Sequence, residues 1–232
     1  MCDNINNNSA INEVENTGNE IKKECKKEER NKMKIIGLTG GSGAGKGEVC
    51  RAFLAKGIDS IDTDKISRDV TRKGSPCLRE LVENFSGSIL TDYGELDRKK
   101  LADIAFSSKE NLERLNNITH KHILNECSSW ILGMAKANRK AIVIDAPLLF
   151  ESNFDRTCDI VISVIADLDK RINRIIKRDN ISLEQAERRI KNQKTDEFFI
   201  QNSNYVVYNN TDYGDVFIQV SNIYRNIFPQ EF

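Results

Sequence analysis

Short apolar runs alternate with amphipathic stretches along most of the chain. Runs such as Ala141–Asp145 and Ile160–Ile165 are almost continuously apolar, which is typical of strands buried on both faces of a parallel sheet. Strands that alternate with helices indicate an α/β fold with a parallel sheet and right-handed crossovers. The predicted strands are Lys34–Thr39, Ile58–Ile61, Ala141–Asp145, Ile160–Ile165 and Tyr205–Tyr208.

The apolar spacing between these runs predicts helices. Ser182 and Gln185 form a capping box at the start of one of them. The helical block from Asp97 to about Asn138 is too long for a single crossover, so we expect an inserted helical unit at about residues 65–138. Its candidate core residues are Leu101, Ile104, Ala105, Leu112, Leu115, Ile118, Ile123, Trp130 and Ile131. The other predicted helices are Gly45–Lys56, Asp167–Arg178, Ser182–Lys191 and Tyr213–Phe228.

Residues 1–32 differ in composition from the rest of the chain. This segment is rich in asparagine and then in mixed charge, and it has no apolar period. Segments of such low hydrophobicity cannot bury enough apolar surface to fold. We therefore expect a disordered tail over residues 1–32 and a folded domain over residues 33–232.

The charge balance excludes several classes of protein. Lys+Arg and Asp+Glu both number 35, so the formal net charge is zero; this excludes a broadly basic nucleic-acid-binding surface and a polybasic membrane anchor. The chain has no apolar run of about 20 residues, the length that a membrane-spanning helix needs, and no apolar secretion signal at its start. The 6 cysteines form no C-x-x-C pair, and with 2 histidines they give no zinc-binding spacing. We expect a monomeric cytoplasmic protein with reduced thiols.

A glycine-rich loop follows the first predicted strand. From Gly40 to Lys46 the sequence is Gly-Gly-Ser-Gly-Ala-Gly-Lys, and a predicted helix follows at once. This order of strand, loop, lysine and helix is the context of a phosphate-binding P-loop rather than of an ordinary glycine-rich turn. Backbone N–H groups from Ser42 to Lys46 would surround an anion at the positive end of the helix. The residues expected to hold ATP here are Gly41, Ser42, Gly43, Ala44, Gly45, Lys46 and Gly47.

One residue of this loop departs from the usual pattern. A Ser or Thr normally follows the lysine and supplies a hydroxyl ligand to Mg²⁺, but this chain has Gly47. We therefore assign no direct protein ligand to the metal. The expected arrangement is Mg²⁺ bound with ATP and held through Asp62 or Asp145.

Acidic residues end two of the predicted strands. Asp62 and Asp64 follow the second strand, and alternation along an extended chain would place both carboxylates on one side. Because ligands of open α/β sheets bind at the carboxyl ends of the strands, a carboxylate here could accept a proton from an attacking hydroxyl or hold Mg²⁺ through water. The alternative is a solvated strand end with a helix cap. Asp145 ends the most apolar strand. The residues after it that we expect in the core are Leu148, Leu149 and Phe150.

Arginines recur on one face of a predicted helix. Arg171, Arg174 and Arg178 have helical spacing, and Arg189 follows in the next helix. Such a face could clamp phosphoryl groups from a lid; the alternative is a solvated basic face paired with nearby carboxylates. Asn209 follows the last strand and could read a purine base, although Asn-Asn also suits a turn.

Taken together, these motifs resemble the dephospho-CoA kinase family from about Met33 to Phe228. The segment Asp145–Glu151, Asp-Ala-Pro-Leu-Leu-Phe-Glu, is the most specific match, and Ile36–Lys46 is similar to the family's phosphate loop. Lys121 and Tyr205 stand where the family usually has Pro and Asp. The other matching segments are Ile61–Asp64, Gly94–Arg98 with Leu101, Ala102 and Phe106, Arg174–Asp179, Arg189–Gln193 and Val206–Asn209.

The resemblance implies a P-loop kinase with a nucleotide-binding core, a helical substrate domain and a lid at about residues 170–203. It implies ATP and Mg²⁺ as cofactors and phosphorylation of the ribose 3′-hydroxyl of dephospho-CoA, the last step of coenzyme A biosynthesis. Asp64 matches the family's general base, Lys46 its phosphate-binding lysine, Arg174 its lid arginine and Asn209 its base-reading asparagine. The substrate-binding residues that it implies are Asp62, Asp64, Arg68, His120, Asp145 and Leu148.

Two other functions remain compatible with the loop. One is phosphorylation of another small molecule, such as a nucleoside monophosphate; the Asp62 and Asp64 pair and the segment from Asp145 to Glu151 argue against it. The other is a weakly catalytic ATP-binding protein that acts as a partner or scaffold, which Gly47 and the long tail favour.

Overall fold

A computed structural model describes residues 33–231, and the predicted tail at 1–32 lies outside the described residues. The chain divides into two compact units, one of residues 33–62 and 138–231, called here the core unit, and one of Thr63–Ala137, called the insert unit. The strands, all in the core unit, are β1 (Lys34–Thr39), β2 (Asp59–Asp62), β3 (Ala141–Asp145), β4 (Ile160–Ile165) and β5 (Tyr205–Tyr208).

The helices are numbered in chain order. Those of the core unit are α1 (Lys46–Leu54), α6 (Leu168–Asp179), α7 (Leu183–Lys191), α8 (Asp196–Gln201) and α9 (Tyr213–Ile227). Those of the insert unit are α2 (Thr63–Val70), α3 (Pro76–Phe85), α4 (Arg98–Ala105) and α5 (Lys109–Lys136). Short 3₁₀ turns lie at Gly87–Ile89, Phe154–Thr157 and Pro229–Glu231.

The strands form one parallel sheet in the order β2-β3-β1-β4-β5. The strand order reverses at β1, because the chain first crosses to β2 on one side and later passes from β3 to β4 on the other. Such a reversal opens a crevice at the carboxyl ends of the strands, where ligands of α/β folds bind. The parallel α/β fold expected from the sequence is confirmed.

The core of this unit lies between the sheet and the helices α1 and α9. Leu38 of β1, Phe53 of α1 and Val220 of α9 are completely buried in one apolar cluster. Full burial of each such side chain contributes roughly 1.5–3 kcal/mol. This packing fixes the position of α1 relative to β1. Both ends of the loop that joins them are therefore held in place.

The helix and strand limits differ from several of the predicted ones by one or two residues. The first helix begins at Lys46, because Gly45 adopts the left-handed conformation at its N-cap. The second strand runs over Asp59–Asp62, one residue later than expected. The capping box of α7 is confirmed: the Ser182 hydroxyl accepts from the Gln185 N–H, and the Gln185 side chain accepts from the Ser182 N–H.

The insert unit consists of helices around its own small core. That core includes Leu81, Phe85 and Leu101, all buried. The long helical block of the prediction is two helices, because Ser108 caps a new helix by accepting from the Asn111 N–H. The prediction that Trp130 is a core residue is wrong: it lies on the outer face of α5 and is 50% exposed.

Lys121, which stands where a proline was expected, has a defined contact in the insert unit. Its ammonium group donates to Glu80 Oε1 at 2.6 Å, and His122 Nε2 lies 2.8 Å from Glu80 Oε2. The hydrogen bond from Lys121, together with that from His122, lowers the pKa of Glu80. These contacts join α3 to α5.

Two further expectations concern cysteines and membranes. Cys77 and Cys127 are buried, Cys50 and Cys158 are half-buried, and all four are free thiols in the described structure. Over residues 33–231, no helix has both the length and the apolar character needed to cross a membrane.

Candidate active site

The glycine-rich loop joins β1 to α1 at the carboxyl edge of the sheet. Gly40, Gly43 and Gly45 have φ values of 138°, 78° and 94°, which L side chains rarely adopt. These values turn the chain back on itself, so that the loop opens at the N-terminus of α1. The ammonium group of Lys46 lies 3.3 Å from the Gly40 carbonyl, across the mouth of the loop. The geometry is that of an anion-binding loop.

Two N–H groups of the loop already have partners within the protein. The Ser42 N–H donates to Gln193 Oε1 at 2.9 Å, and the Ala44 N–H donates to the Gly41 carbonyl at 3.1 Å. The expectation that every N–H from Ser42 to Lys46 faces the anion therefore needs correction. The N–H groups left for the predicted anion cradle would be those of Gly43 and of Gly45 to Gly47.

Arg171 contacts the outer side of the loop. Its Nε donates to the Ser42 carbonyl at 3.1 Å, and its other two nitrogens donate to Asp196 and Gln193, each at 3.1 Å. Burial lowers the pKa of Arg171, and the Asp196 carboxylate acts in the opposite direction. Arg171 thus braces the loop instead of pointing outward as part of a basic face.

Arg174 and Asn209 brace the next part of the loop. Arg174 Nη1 donates to the Gly43 and Ala44 carbonyls at 3.2 and 3.3 Å, and its Nη2 donates to the Asn209 carbonyl at 3.1 Å. Asn209 is completely buried, and its amide donates to the Ala44 carbonyl at 2.9 Å. The structure therefore shows Asn209 engaged with the loop, where the resemblance implied contact with a base.

The two outer arginines have a different partner. Arg178 donates to both Asp179 carboxylate oxygens, and Arg189 pairs with the same carboxylate. Hydrogen bonds from Arg178 and Arg189 lower the pKa of Asp179 well below its ordinary value. Arg178 and Arg189 therefore form a basic surface paired with a nearby carboxylate, and not a clamp for phosphoryl groups.

Two carboxylates lie side by side at the carboxyl edge of the sheet. Asp62 of β2 is in register with Asp145 of β3, and Asp145 is also in register with Leu38 of β1, two residues before Gly40. The Cys50 thiol lies 3.9 Å from Asp145 Oδ2. Burial and the Asp145 charge raise the pKa of Cys50 to about 12, so this thiol stays protonated.

These carboxylates fit Mg²⁺ chemically. Mg²⁺ prefers oxygen ligands, keeps several waters and is often held by one or two carboxylates together with phosphate oxygens. Among residues 33–231, no group of three or more His, Cys, Asp or Glu side chains could hold a metal by itself.

Asp64, Arg68 and His120 belong to the insert unit. Asp64 lies in the first turn of α2 and Arg68 in its last turn, while His120 is half-buried in α5. The expectation that Asp62 and Asp64 share one side of an extended chain is wrong, because the strand ends at Asp62 and a helix begins at Thr63. Burial lowers the pKa of His120, which keeps the imidazole neutral at pH 7.

The segment after β3 was expected to be core. Leu149 is completely buried, but Leu148 is 61% exposed, so the prediction of a core role for Leu148 is wrong. The Phe150 ring packs edge-on against Phe198 of α8, with the ring centroids 5.2 Å apart. Leu148 is left as an apolar side chain on the surface of the core unit.

Sequence reasoning missed the contacts of Gln193 and Asp196 with Arg171. Of the two, Gln193 lies within the segment Arg189–Gln193, which is similar to the family's lid. No local pattern predicts these contacts, because Gln193 and Asp196 are 22 and 25 positions from Arg171, and Gln193 is 151 positions from Ser42, to which it also bonds. Only the folded arrangement of α6, α7 and α8 brings them to the loop.

The sequence of this chain is similar to those of known kinases. A profile of the dephospho-CoA kinase family matches residues 34–215. A dephospho-CoA kinase from Fusobacterium nucleatum is 40% identical over 193 residues, which cover 83% of this chain and 98% of that protein.

Solved structures show a similar fold. A dephospho-CoA kinase from Campylobacter jejuni superposes with a TM-score of 0.63 at 25% identity, covering 86% of this chain and 100% of that one. TT1252 from Thermus thermophilus shares the fold, with a TM-score of 0.73 at 23% identity over 83% of this chain and 96% of that one. The profile match covers more than half of the chain and includes the loop, the acidic pair and the bracing arginines. The chain belongs to the dephospho-CoA kinase family.

Proposed function

We propose that the protein transfers the γ-phosphoryl group of ATP to the ribose 3′-hydroxyl of dephospho-CoA, giving coenzyme A and ADP. The observation that supports this most strongly is the family match over residues 34–215, which includes both the phosphate loop and the acidic residues. In the described structure the loop, Asp62 and Asp145 lie at the carboxyl edge of the sheet, where such folds bind their ligands.

The loop and α1 bind the phosphates of ATP. The N–H groups of the loop and the positive end of α1 attract the anion, and Lys46 adds a mobile positive charge close to the β- and γ-phosphates. Arg174 and Asn209 act on ATP through the loop that they hold. In phosphoryl transfer, catalysis consists mainly of such positioning and of charge stabilisation.

Asp64 takes the proton from the attacking hydroxyl group. As the O–H bond breaks, the ribose oxygen forms a bond to the γ-phosphorus, and the bond to the β-phosphate oxygen breaks to release ADP. Mg²⁺, held through Asp62 or Asp145, would neutralise charge on the phosphate oxygens. The carboxylates of this chain thus have two separate roles, one as base and one as metal holder.

Other parts of the proposal concern the substrate and the setting. Arg68, His120 and Leu148 contact dephospho-CoA, the insert unit serves as the substrate domain, and residues 170–203 act as the lid. The protein works as a monomer in the cytoplasm. A neutral His120 suits this role, since an imidazole without charge can both donate and accept a hydrogen bond.

A coupled assay of ADP release tests the activity. With millimolar Mg²⁺ and ATP, we expect ADP to form when dephospho-CoA is added and not when AMP or UMP replaces it. If ADP forms with AMP or UMP but not with dephospho-CoA, the protein is a nucleoside monophosphate kinase instead. Binding of ATP without ADP release under any of these conditions would make it a binding protein and end the enzyme proposal.

Gly47→Ser is expected to lower the Mg²⁺ concentration needed for half-maximal rate. A serine here supplies the hydroxyl that a P-loop normally gives to the ion, where Gly47 leaves the position to water. Each gain of about 1.4 kcal/mol in metal binding shifts this concentration tenfold. A Mg²⁺ titration of turnover at saturating ATP measures the shift.

The structure has room for this side chain. A Cβ built on Gly47 meets no described heavy atom within 4 Å, and the residue is exposed in the first turn of α1. Gly47→Ala is the matched control, because it adds the same Cβ without the hydroxyl, although alanine favours the helix more than serine does. An equal loss of rate at every Mg²⁺ concentration in both variants would refute the missing-ligand account.

A further inference from the structure

Arg171 is a buried charged residue whose nitrogens are all directed at protein groups. It is only 5% exposed. Its three guanidinium nitrogens donate respectively to the Ser42 carbonyl, to Asp196 Oδ1 and to Gln193 Oε1, each at 3.1 Å. An arginine that clamps a phosphoryl group must direct donors at it. Arg171 directs one donor from each of its three nitrogens at protein groups instead, so these contacts point to a role in what it holds.

What it holds is the first turn of the phosphate loop. Gln193 Oε1 accepts from both Arg171 Nη2 and the Ser42 N–H, while Arg171 Nε donates to the Ser42 carbonyl. The Ser42 backbone is therefore fixed at its N–H and at its carbonyl by one Arg–Gln pair. The guanidinium lies so close to the loop that a Cβ on Gly41 would meet Arg171 Nη2 at 2.2 Å.

The same side chain also fixes the connection between α7 and α8. Gln193 lies in that connection, and Asp196 is the first residue of α8. The salt bridge from Arg171 Nη1 to Asp196, at 3.1 Å, ties the guanidinium to α8. One buried arginine thus links three segments that are distant in sequence: the phosphate loop, α6 and the start of α8.

We propose that Arg171 is a positioning residue for ATP, which holds the phosphate loop in its binding conformation through Ser42 and Gln193. The proposal rests on the proposed function for its kinetic part only. When the loop is already ordered in the folded protein, ATP binding does not bear the entropy cost of ordering it. This raises the affinity for ATP without adding a contact to the ligand. Loss of Arg171 should accordingly weaken ATP binding and leave the chemical step and the second substrate unaffected.

Arg171→Lys is the first test. A lysine keeps a positive charge near Asp196, but its ammonium cannot reach three acceptors in the geometry of a guanidinium fork. We expect the dissociation constant of a non-hydrolysable ATP analogue to rise about five- to tenfold, the usual worth of one or two hydrogen bonds. At saturating ATP, kcat and the KM for dephospho-CoA should stay within about twofold of the wild-type values. Arg225→Ala, which removes an exposed arginine of α9, is the control and should leave the dissociation constant unchanged.

A double-mutant cycle with Gln193→Ala tests whether the pair acts as a unit. Both residues hold Ser42, so their effects should not multiply. The dissociation constant of the double variant should be no more than about twice that of the single variant that binds the analogue less tightly. Should Arg171→Lys fail to fold, Gln193→Ala alone is expected to raise the dissociation constant at least threefold.

Three results would overturn the proposal: an unchanged dissociation constant in both single variants, independent multiplication of their effects, or a fall in kcat that matches a reduced fraction of folded protein. Binding of the analogue is measured without dephospho-CoA. A wild-type protein that binds it but does not phosphorylate dephospho-CoA would therefore count against the proposed function and not against the role of Arg171.

Discussion

Asp64→Asn is expected to lower turnover with ATP and dephospho-CoA by about 10²–10⁴-fold, the usual worth of a general base. An amide cannot take the proton of the attacking hydroxyl, yet it has nearly the same size and shape as the carboxylate. Binding of ATP should change little, because phosphate binding is assigned to the loop from Gly40 to Lys46 and not to Asp64. Steady-state turnover and direct binding of an ATP analogue measure the two effects separately.

Asp62→Asn is the matched control for this prediction. Asp62 is only two positions away, but it ends β2 beside Asp145, where it would hold the metal and not the proton. We expect this variant to need more Mg²⁺ and to recover much of its rate when Mg²⁺ is added. If Asp62→Asn reduces turnover more than Asp64→Asn at saturating Mg²⁺, the two roles are exchanged.

A small loss of stability in Asp64→Asn is expected on other grounds and must be separated from the catalytic effect. Asp64 lies in the first turn of α2, where a negative charge stabilises the helix by about 0.3–1 kcal/mol. A thermal melt detects that loss. It is far too small to unfold the protein, so it cannot imitate a 10²-fold fall in turnover.

The sheet could be predicted from the sequence because its signals are local. The strands β3 (Ala141–Asp145) and β4 (Ile160–Ile165) are almost continuous apolar runs, and each follows a polar residue. The capping box at Ser182 and the loop before Lys46 also placed two helix starts to within one residue. The errors came where a local pattern has two outcomes: the alternation from Asp62 to Asp64 suits an extended chain, but Thr63 instead begins a helix.

The candidate site could be predicted only in part. The loop, Lys46 and the strand-end carboxylates were recognisable, since their chemistry and their place after strands are encoded in short segments. The partners of the loop were not. Arg171 and Arg178 look alike in the sequence, yet one is buried against Ser42 and the other is exposed beside Asp179. That distinction depends on how α6 lies against the loop, which no periodicity describes.

Gly45→Ala is expected to weaken ATP binding by up to about 10²-fold, a cost of about 2.7 kcal/mol, when the loop shifts to relieve the strain of the new side chain. Gly45 has φ 94° and ψ 35° at the N-cap of α1, and an L residue pays about 1–2 kcal/mol to adopt the left-handed conformation. The new Cβ would also meet Asn209 Nδ2 at 2.0 Å. That amide is buried and donates to the Ala44 carbonyl at 2.9 Å, so moving it leaves buried polar groups unsatisfied, at about 1–3 kcal/mol.

This cost can appear in two measurable places. If the loop shifts to relieve the strain, the ATP analogue binds more weakly; if packing holds the loop, the free energy of unfolding falls instead. Calorimetric binding and urea denaturation together therefore capture the total, for which we expect about 2–4 kcal/mol. Gly47→Ala is the matched control, two residues along the same loop and helix, where a Cβ meets no described atom within 4 Å. It should leave binding unchanged and stabilise the helix by up to about 1 kcal/mol. If Gly45→Ala behaves like Gly47→Ala in both measurements, Asn209 and the left-handed turn do not hold the phosphate loop in place.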